Sequence, residues 1–311
     1  MTFFKGLTAF GVALFFMFVT FVLWHEKEYT NFPIIETIKY STIDRFHDRI
    51  VFVGDIHGMY DQYRKLIEDK VKPDANTTVV LLGDFISKGP DSNRIVNEVI
   101  LNDKIDYRVE CVLGNNELRT IYALLNPLTL GKHNIKSVQF TTDSFLPDKD
   151  TVNKRHKQLA KELGWSSLAK VAFKCSAMWQ FHDNEKDKLT LVGVHAGVLP
   201  EHLHNPMIEE LTEMKYADIN DHTRTSKKKI DHGIKWYKLW NHLNKEKYQI
   251  GGNVNVLYGH DSKKGLNIRR YTKGLDSGCV NGKSLTALEY VWNRKTKVYD
   301  NILHSVPCDR S

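Results

Sequence analysis

Five short apolar runs constrain this chain more than anything else in it. They are IVFVGD from Ile50, VVLLGD from Val79, RVECVLGN from Arg108, LTLVGVH from Leu189 and VNVLYGH from Val254. Each has a glycine near its end and a polar residue closing it. The runs are rich in β-branched residues and lack period-two alternation, as expected of strands buried on both faces. Between the first two, YDQYRKLIEDKV places Tyr60, Tyr63, Leu66 and Ile67 at helical spacing, and SNRIVNEVILN repeats the pattern between the second and third. Strand, helix, strand, helix, strand predicts a layered α/β domain. With 311 residues the chain can form one large domain or two small ones. We expect one body over residues 48–305.

The flanking segments read differently. Residues 7–24 carry no charge, and eighteen such residues reach the lower limit for a membrane span. The run ends without the small-residue pair of a signal-peptidase site, so the expectation is an uncleaved single-pass anchor. Lys5 lies in the short tail 1–6, and the positive-inside rule leaves that tail in the cytosol and the body across the membrane. Residues 25–47 are polar and read as a tether. Residues 130–170 and 202–248 interrupt the strand–helix rhythm and read as helical insertions, and the tail after TALEYVW reads as irregular. Four cysteines, at 111, 175, 279 and 308, show no paired spacing, and Cys111 inside an apolar run reads as a small buried hydrophobe. The sequon Asn76-Thr77-Thr78 fits a lumenal body. A formal charge of +7 and a pI of about 9.0 suit an anionic partner.

The strand ends carry the chemistry, because the loops that follow strands in α/β folds converge on ligands. Asp55 with His57, Asp84, Asn115, His195 and His260 fall at such ends. All offer oxygen or imidazole donors and none a thiolate. That set suits two borderline divalent ions, zinc first, with manganese, cobalt or iron as alternatives. Taken alone, a Gly-Asp after a strand is usually a turn, and a lone histidine is usually structural. Five such elements in one order are another matter: GDIHG at 54–58, GDFISKGPDS at 83–92, GNNE at 114–117, HAGVLP at 195–200 and GHD at 259–261.

On these motifs the chain resembles the PPP superfamily of calcineurin-like metallophosphoesterases over residues 48–292. GLDSGCVNGKSLTAL at 274–288 is similar to the closing segment of ApaH-type diadenosine tetraphosphatases. The anchor together with GNNE is most similar to vacuolar zinc-dependent endopolyphosphatases. The resemblance implies a calcineurin-like β-sandwich flanked by helices. It makes Asp55 and His57 ligands of a first metal, Asp84 the bridge, and Asn115, His195 and His260 ligands of a second, with water as nucleophile.

Two departures bear on the reaction. The family writes GDxxDRG where this chain has Ser87 and Lys88, and GNHE where it has Asn116. In the family that aspartate and histidine form a dyad that protonates the leaving oxygen. An alkoxide leaving group gains much from such an acid, whereas a phosphate leaving group, with a second pKa near 6, departs without one. We therefore expect a phosphoanhydride hydrolase acting on inorganic polyphosphate, with Asp84, Asn116 and Lys88 in the catalytic centre. Dinucleoside polyphosphatase and serine/threonine protein phosphatase are the enzymatic alternatives, and an anchored pseudophosphatase binding polyanions is the non-enzymatic one. Lys88, Lys263, Lys264, Arg269 and Arg270 are the expected substrate-binding cations, with Lys273 and the insertion lysines as further members of a basic track. No nucleic-acid module is recognisable, and none is expected as partner. The expected location is the vacuole membrane, single-pass type II, with the catalytic domain in the lumen.

Overall fold

The structure is a computed structural model that describes residues 11–24, 32–41, 49–125, 139–182, 189–246 and 253–310. Its first strand, β1 (Ile38–Ser41), lies inside the stretch expected as a tether. Phe32 and Ile35 before it are buried. The domain therefore begins before residue 48: β1 pairs in parallel with β5 (Met178–His182), and residues 32–41 belong to the fold.

The five apolar runs are all strands, namely β2 (Arg49–Val53), β3 (Thr77–Leu82), β4 (Arg108–Val112), β6 (Leu189–Val194) and β10 (Asn253–Tyr258). Two further strands, β13 (Ser284–Asn293) and β14 (Val298–Pro307), complete a five-stranded sheet ordered β14-β13-β2-β3-β4. β11 (Asn267–Ile268) and β12 (Thr272–Gly274) complete a six-stranded sheet ordered β1-β5-β6-β10-β12-β11. Ile50, Phe52, Val80 and Leu82 of the first sheet pack on Trp179, Leu191 and Leu257 of the second. Phe52 and Trp179 meet edge to face at 5.5 Å, a geometry aromatic pairs favour. The opposite face of the first sheet is covered by α1 (Tyr60–Lys65, continuing as a wider turn through Val71) and α2 (Ser92–Arg94, continuing through Ile100). They bury Tyr63, Leu66, Ile95 and Val99, the periodic apolar residues of the sequence. The expected α/β sandwich flanked by helices is what forms.

Several expectations are corrected. The tail is a strand, not irregular: β14 runs antiparallel to all of β13, from Ser284 opposite Pro307 to Asn293 opposite Val298. Its side chains are mostly exposed, as fits a sheet edge. The insertion over 202–248 is only partly helical. It holds α5 (Ile208–Glu213) and α6 (Trp236–Glu246). Between them lies a small antiparallel sheet of β7 (Tyr216–Asp218), β8 (Thr225–Ser226) and β9 (Gly233–Lys235). Lys227, Lys228 and Lys229 lie on the β8–β9 connection. Of the 130–170 insertion, residues 130–138 lie outside the described residues. The rest carries α4 (Lys154–Lys174), kinked at Gly164, which packs against α3 (Asn115–Leu125). Residues 11–24 are helical, while residues 7–10 of the expected span lie outside the described residues. Among the described residues no helix is long and apolar enough to cross a membrane.

Cys111 is buried as expected but is not a free thiol. It is joined to Cys175, and Cys279 is joined to Cys308. The first bridge ties β4 to the end of α4 across 64 residues of sequence. Loop-closure entropy for a loop that long is about 4 kcal/mol. Replacing both Cys111 and Cys175 by serine is expected to remove most of that amount, read as a lower denaturant midpoint at unchanged slope.

Candidate metal centre

β2, β3 and β4 run parallel in one sheet, and β6 and β10 run parallel in the other. Their C-terminal ends share one rim, and all six expected ligands stand on it. The chain must turn sharply there. His57, Asp84 and His260 have φ of 50°, 46° and 68°, uncommon for residues with side chains and typical of constrained functional sites. Close approach also requires bare backbone. A Cβ at Gly259 would lie 2.0 Å from Asp55 Oδ1, and one at Gly114 would lie 2.4 Å from Asp84 Oδ1.

The donor atoms converge as a set of acceptors. His57 Nδ1 is 3.2 Å from the Ile86 carbonyl and His195 Nδ1 is 2.9 Å from the Leu82 carbonyl. A carbonyl only accepts, so each ring donates from Nδ1 and turns Nε2 inward. His57 Nε2 lies 3.7 Å from both Asp55 Oδ2 and Asp84 Oδ2. His195 Nε2 lies 3.1 Å from Asn115 Oδ1, 3.1 Å from His260 Nδ1 and 3.5 Å from Asp84 Oδ1. The two oxygens of Asp84 thus face different ligand groups. Ligand atoms of Asp55, Asp84 and His195 all lie within 4.8 Å of one another. The acceptor atoms of Asp84, Asn115 and His195 face one another in a buried site, which is costly unless a cation stands between them, so these residues fit divalent metal.

The electrostatics agree. Burial, the Asp276 carboxylate and Asp84 push Asp55 well above the usual carboxylate range. Burial also opposes charge on Asp84, but His195, His57 and Lys88 together pull it below that range. Burial pushes His57 down to about 4 and His260 well below its usual value. Glu117 accepts the main-chain N–H groups of Asp84 at 2.8 Å, Ile86 at 3.0 Å and Gly114 at 2.7 Å. It fastens the loop after β3 to the loop after β4. Asn116 donates to Asp84 twice, N–H to Oδ1 at 2.9 Å and Nδ2 to Oδ2 at 2.6 Å. Its Oδ1 lies 2.9 Å from Nε2 of His156, a residue of α4.

Sequence and fold comparisons place this arrangement. The family described as calcineurin-like phosphoesterase matches residues 48–276. The chain belongs to the calcineurin-like phosphoesterases. It is 37% identical over 290 residues to the zinc-dependent endopolyphosphatase of Saccharomyces cerevisiae, covering 89% of this chain and 86% of that one. It is 25% identical over 292 residues to the symmetrical bis(5'-nucleosyl)-tetraphosphatase of Aeromonas hydrophila, covering 83% of this chain and 97% of that one. A crystal structure described as a candidate diadenosine tetraphosphatase superposes with a TM-score of 0.59 at 20% identity, over 89% of this chain and all of that one. That last match speaks to the fold.

Three buried residues of this centre have no role assigned from the sequence: Glu117, Asp276 and His156. Asp276 is 4% exposed and sits beside Asp55; it was legible inside the GLDSG segment. His156 is 2% exposed and comes from the insertion. Lys88 donates to His57 Nε2 at 2.7 Å. It also lines a cavity of about 370 Å³ with Ser87, Pro90, Arg155 and Gln158. Lys263, Lys264, Arg269 and Arg270 do not line that cavity. Arg269 and Arg270 lie over the rings of Tyr237 and Tyr271. Lys273 is withdrawn from any basic track: it is buried, its ammonium donates to the carbonyls of Arg269 and Arg270, and burial pushes it down to about 8. Lys235 is paired with Asp261 at 2.8 Å.

Replacing Asp84 by asparagine exchanges a charged oxygen for an amide that both ligand groups face. We expect Asp84→Asn to lose metal from both groups and to abolish turnover, read by elemental analysis of the purified protein beside its rate.

Proposed function

We propose that the chain hydrolyses phosphoanhydride bonds and that its substrate is inorganic polyphosphate, cut within the chain. The observation that carries this reading is Asn116. Where relatives in the family carry a histidine, this centre has an amide that donates to Asp84 and accepts from His156. An amide has no proton to give a leaving oxygen. A departing phosphate, with a second pKa near 6, needs none, whereas a serine or threonine alkoxide does. The named activity of the Saccharomyces relative supports the same substrate.

Asp55, His57 and Asp84 would hold one divalent ion, and Asp84, Asn115, His195 and His260 a second, with zinc supported by that relative. When bound, such ions acidify water and offset charge on phosphoryl oxygens. The chain's own residues do the rest. Asp84 divides its two oxygens between the ligand groups. Lys88 and Arg155 line one cavity, where two cations can follow a run of phosphates. Lysine serves there as a point charge without the bidentate fork of arginine.

The location we propose is the vacuolar lumen behind a single-pass anchor. Two disulfides support an oxidising compartment. Asn76 is exposed on the turn before β3, where a glycan can be added.

Purified protein supplied with zinc, manganese, cobalt or iron should be offered long polyphosphate, diadenosine tetraphosphate and a phosphopeptide. A gel of the polyphosphate should show a ladder of intermediate lengths. A higher kcat/KM on the phosphopeptide than on polyphosphate would overturn the leaving-group argument, and preference for the dinucleotide would move the substrate class. For topology, the body in sealed vesicles should resist added protease until detergent is present; digestion without detergent would reverse the orientation.

A further inference from the structure

We propose that His156 is a positioning residue of the metal centre, which fixes the Asn116 amide so that its NH₂ group, and not its oxygen, faces Asp84. The argument runs along one chain of hydrogen bonds. The main-chain N–H of Asn153 lies 3.2 Å from His156 Nδ1. A main-chain N–H can only donate, so Nδ1 carries the lone pair and the ring proton sits on Nε2. Nε2–H then donates to Asn116 Oδ1 at 2.9 Å. With its oxygen engaged, the amide presents Nδ2 to Asp84 Oδ2 at 2.6 Å. Each link sets the polarity of the next, from a main-chain donor to a carboxylate acceptor.

Without His156 nothing on that side would select between the two amide orientations. The wrong one would aim a carbonyl oxygen at the Asp84 carboxylate. The correct one adds to the bond from the Asn116 main-chain N–H, so that Asp84 is held at both oxygens. Groups that orient ligands from behind in this way typically contribute 10–100-fold to metal affinity or activity.

The helix that delivers His156 is anchored for the purpose. Asn153 and His156 form a reciprocal capping box at its start, with Asn153 Oδ1 accepting from Arg155 and His156 N–H. Its far end is fixed to β4 through Cys111–Cys175, and β4 leads directly into Asn115 and Asn116. The donor and the amide it orients are thus mounted on elements bolted to each other.

The test compares His156→Gln, which keeps a donor near the Nε2 position, with His156→Met, which fills the space without one. Zinc and manganese affinity is measured against a chelator in the absence of substrate, so its outcome does not depend on the polyphosphate reading. kcat and KM are then measured on whichever substrate the protein turns over. We expect His156→Met to lose about tenfold or more in metal affinity and in kcat, with KM little changed, and His156→Gln to stay within about threefold of the parent. In an Asn116→Ala background the His156→Met step should cost no further affinity, because its target is gone. Wild-type metal affinity in His156→Met overturns the proposal. So does equal loss in both His156 variants tracking a fall in melting temperature, or full additivity with Asn116→Ala. Should His156→Met fail to fold, His156→Gln and Asn116→Ala decide: a loss of tenfold or more in His156→Gln, with none in Asn116→Ala, overturns it too.

Discussion

The Asp84 carboxylate is the point on which the rest of the centre depends. It is 3% exposed, in a setting that opposes its charge, and it stays ionised because positive and polar groups surround it. Its backbone takes a left-handed turn, its N–H is held by Glu117, and Asn116 holds both its oxygens. Gly114 must lack a side chain for the loop after β4 to lie against it. Asp55, Asp276 and Glu117 are buried close by, and the Lys88 charge acts on Asp55 and Asp84. Burial pushes Asp55, Glu117 and Asp276 all upward, so a cation bound among them would let them ionise together.

The sandwich explains why the ligands arrive in two sets. The first sheet delivers Asp55, His57, Asp84 and Asn115, and the second delivers His195 and His260. The faces between them are apolar and interdigitated, so packing holds the two rims in register and hydrogen bonds reinforce it. The His260 main-chain N–H donates to the Asp55 side chain at Oδ1, 3.0 Å away, a bond that crosses from one sheet to the other at the site itself.

The parts legible in the sequence were those with a local signature. Buried parallel strands read as apolar runs, and the residues after them read as ligands because strand ends are where backbone and side chains converge. The motif ligands Asp55, His57, Asp84, Asn115, His195 and His260 all proved neighbours. What escaped depends on contacts distant in sequence. Nothing in KRHKQL distinguishes His156 from a surface histidine, apart from the Asn153 three residues before it. Cys111 and Cys175 are 64 residues apart, and it is the pairing of Ser176 with the end of β4 that brings them together. β14 misled because an edge strand with few buried residues carries little apolar signal. Lys273 misled in the opposite sense: a lysine in a basic run looks solvated, and only the fold shows its ammonium turned onto two carbonyls.

The exchange of an imidazole for an amide at position 116 has an electrostatic side as well as a leaving-group side. A histidine against Asp84 would be drawn toward its cationic form by the carboxylate and would compete there with bound metal for the same negative charge. An amide donates to the carboxylate with no net charge at any pH. Its defect is symmetry, since oxygen and nitrogen can trade places. His156 removes that ambiguity, and burial together with the Arg119 charge pushes the ring down to about 4, so the donor that orients the amide is itself neutral. The pair delivers a fixed hydrogen bond to Asp84 while leaving the charge of the centre to its carboxylates.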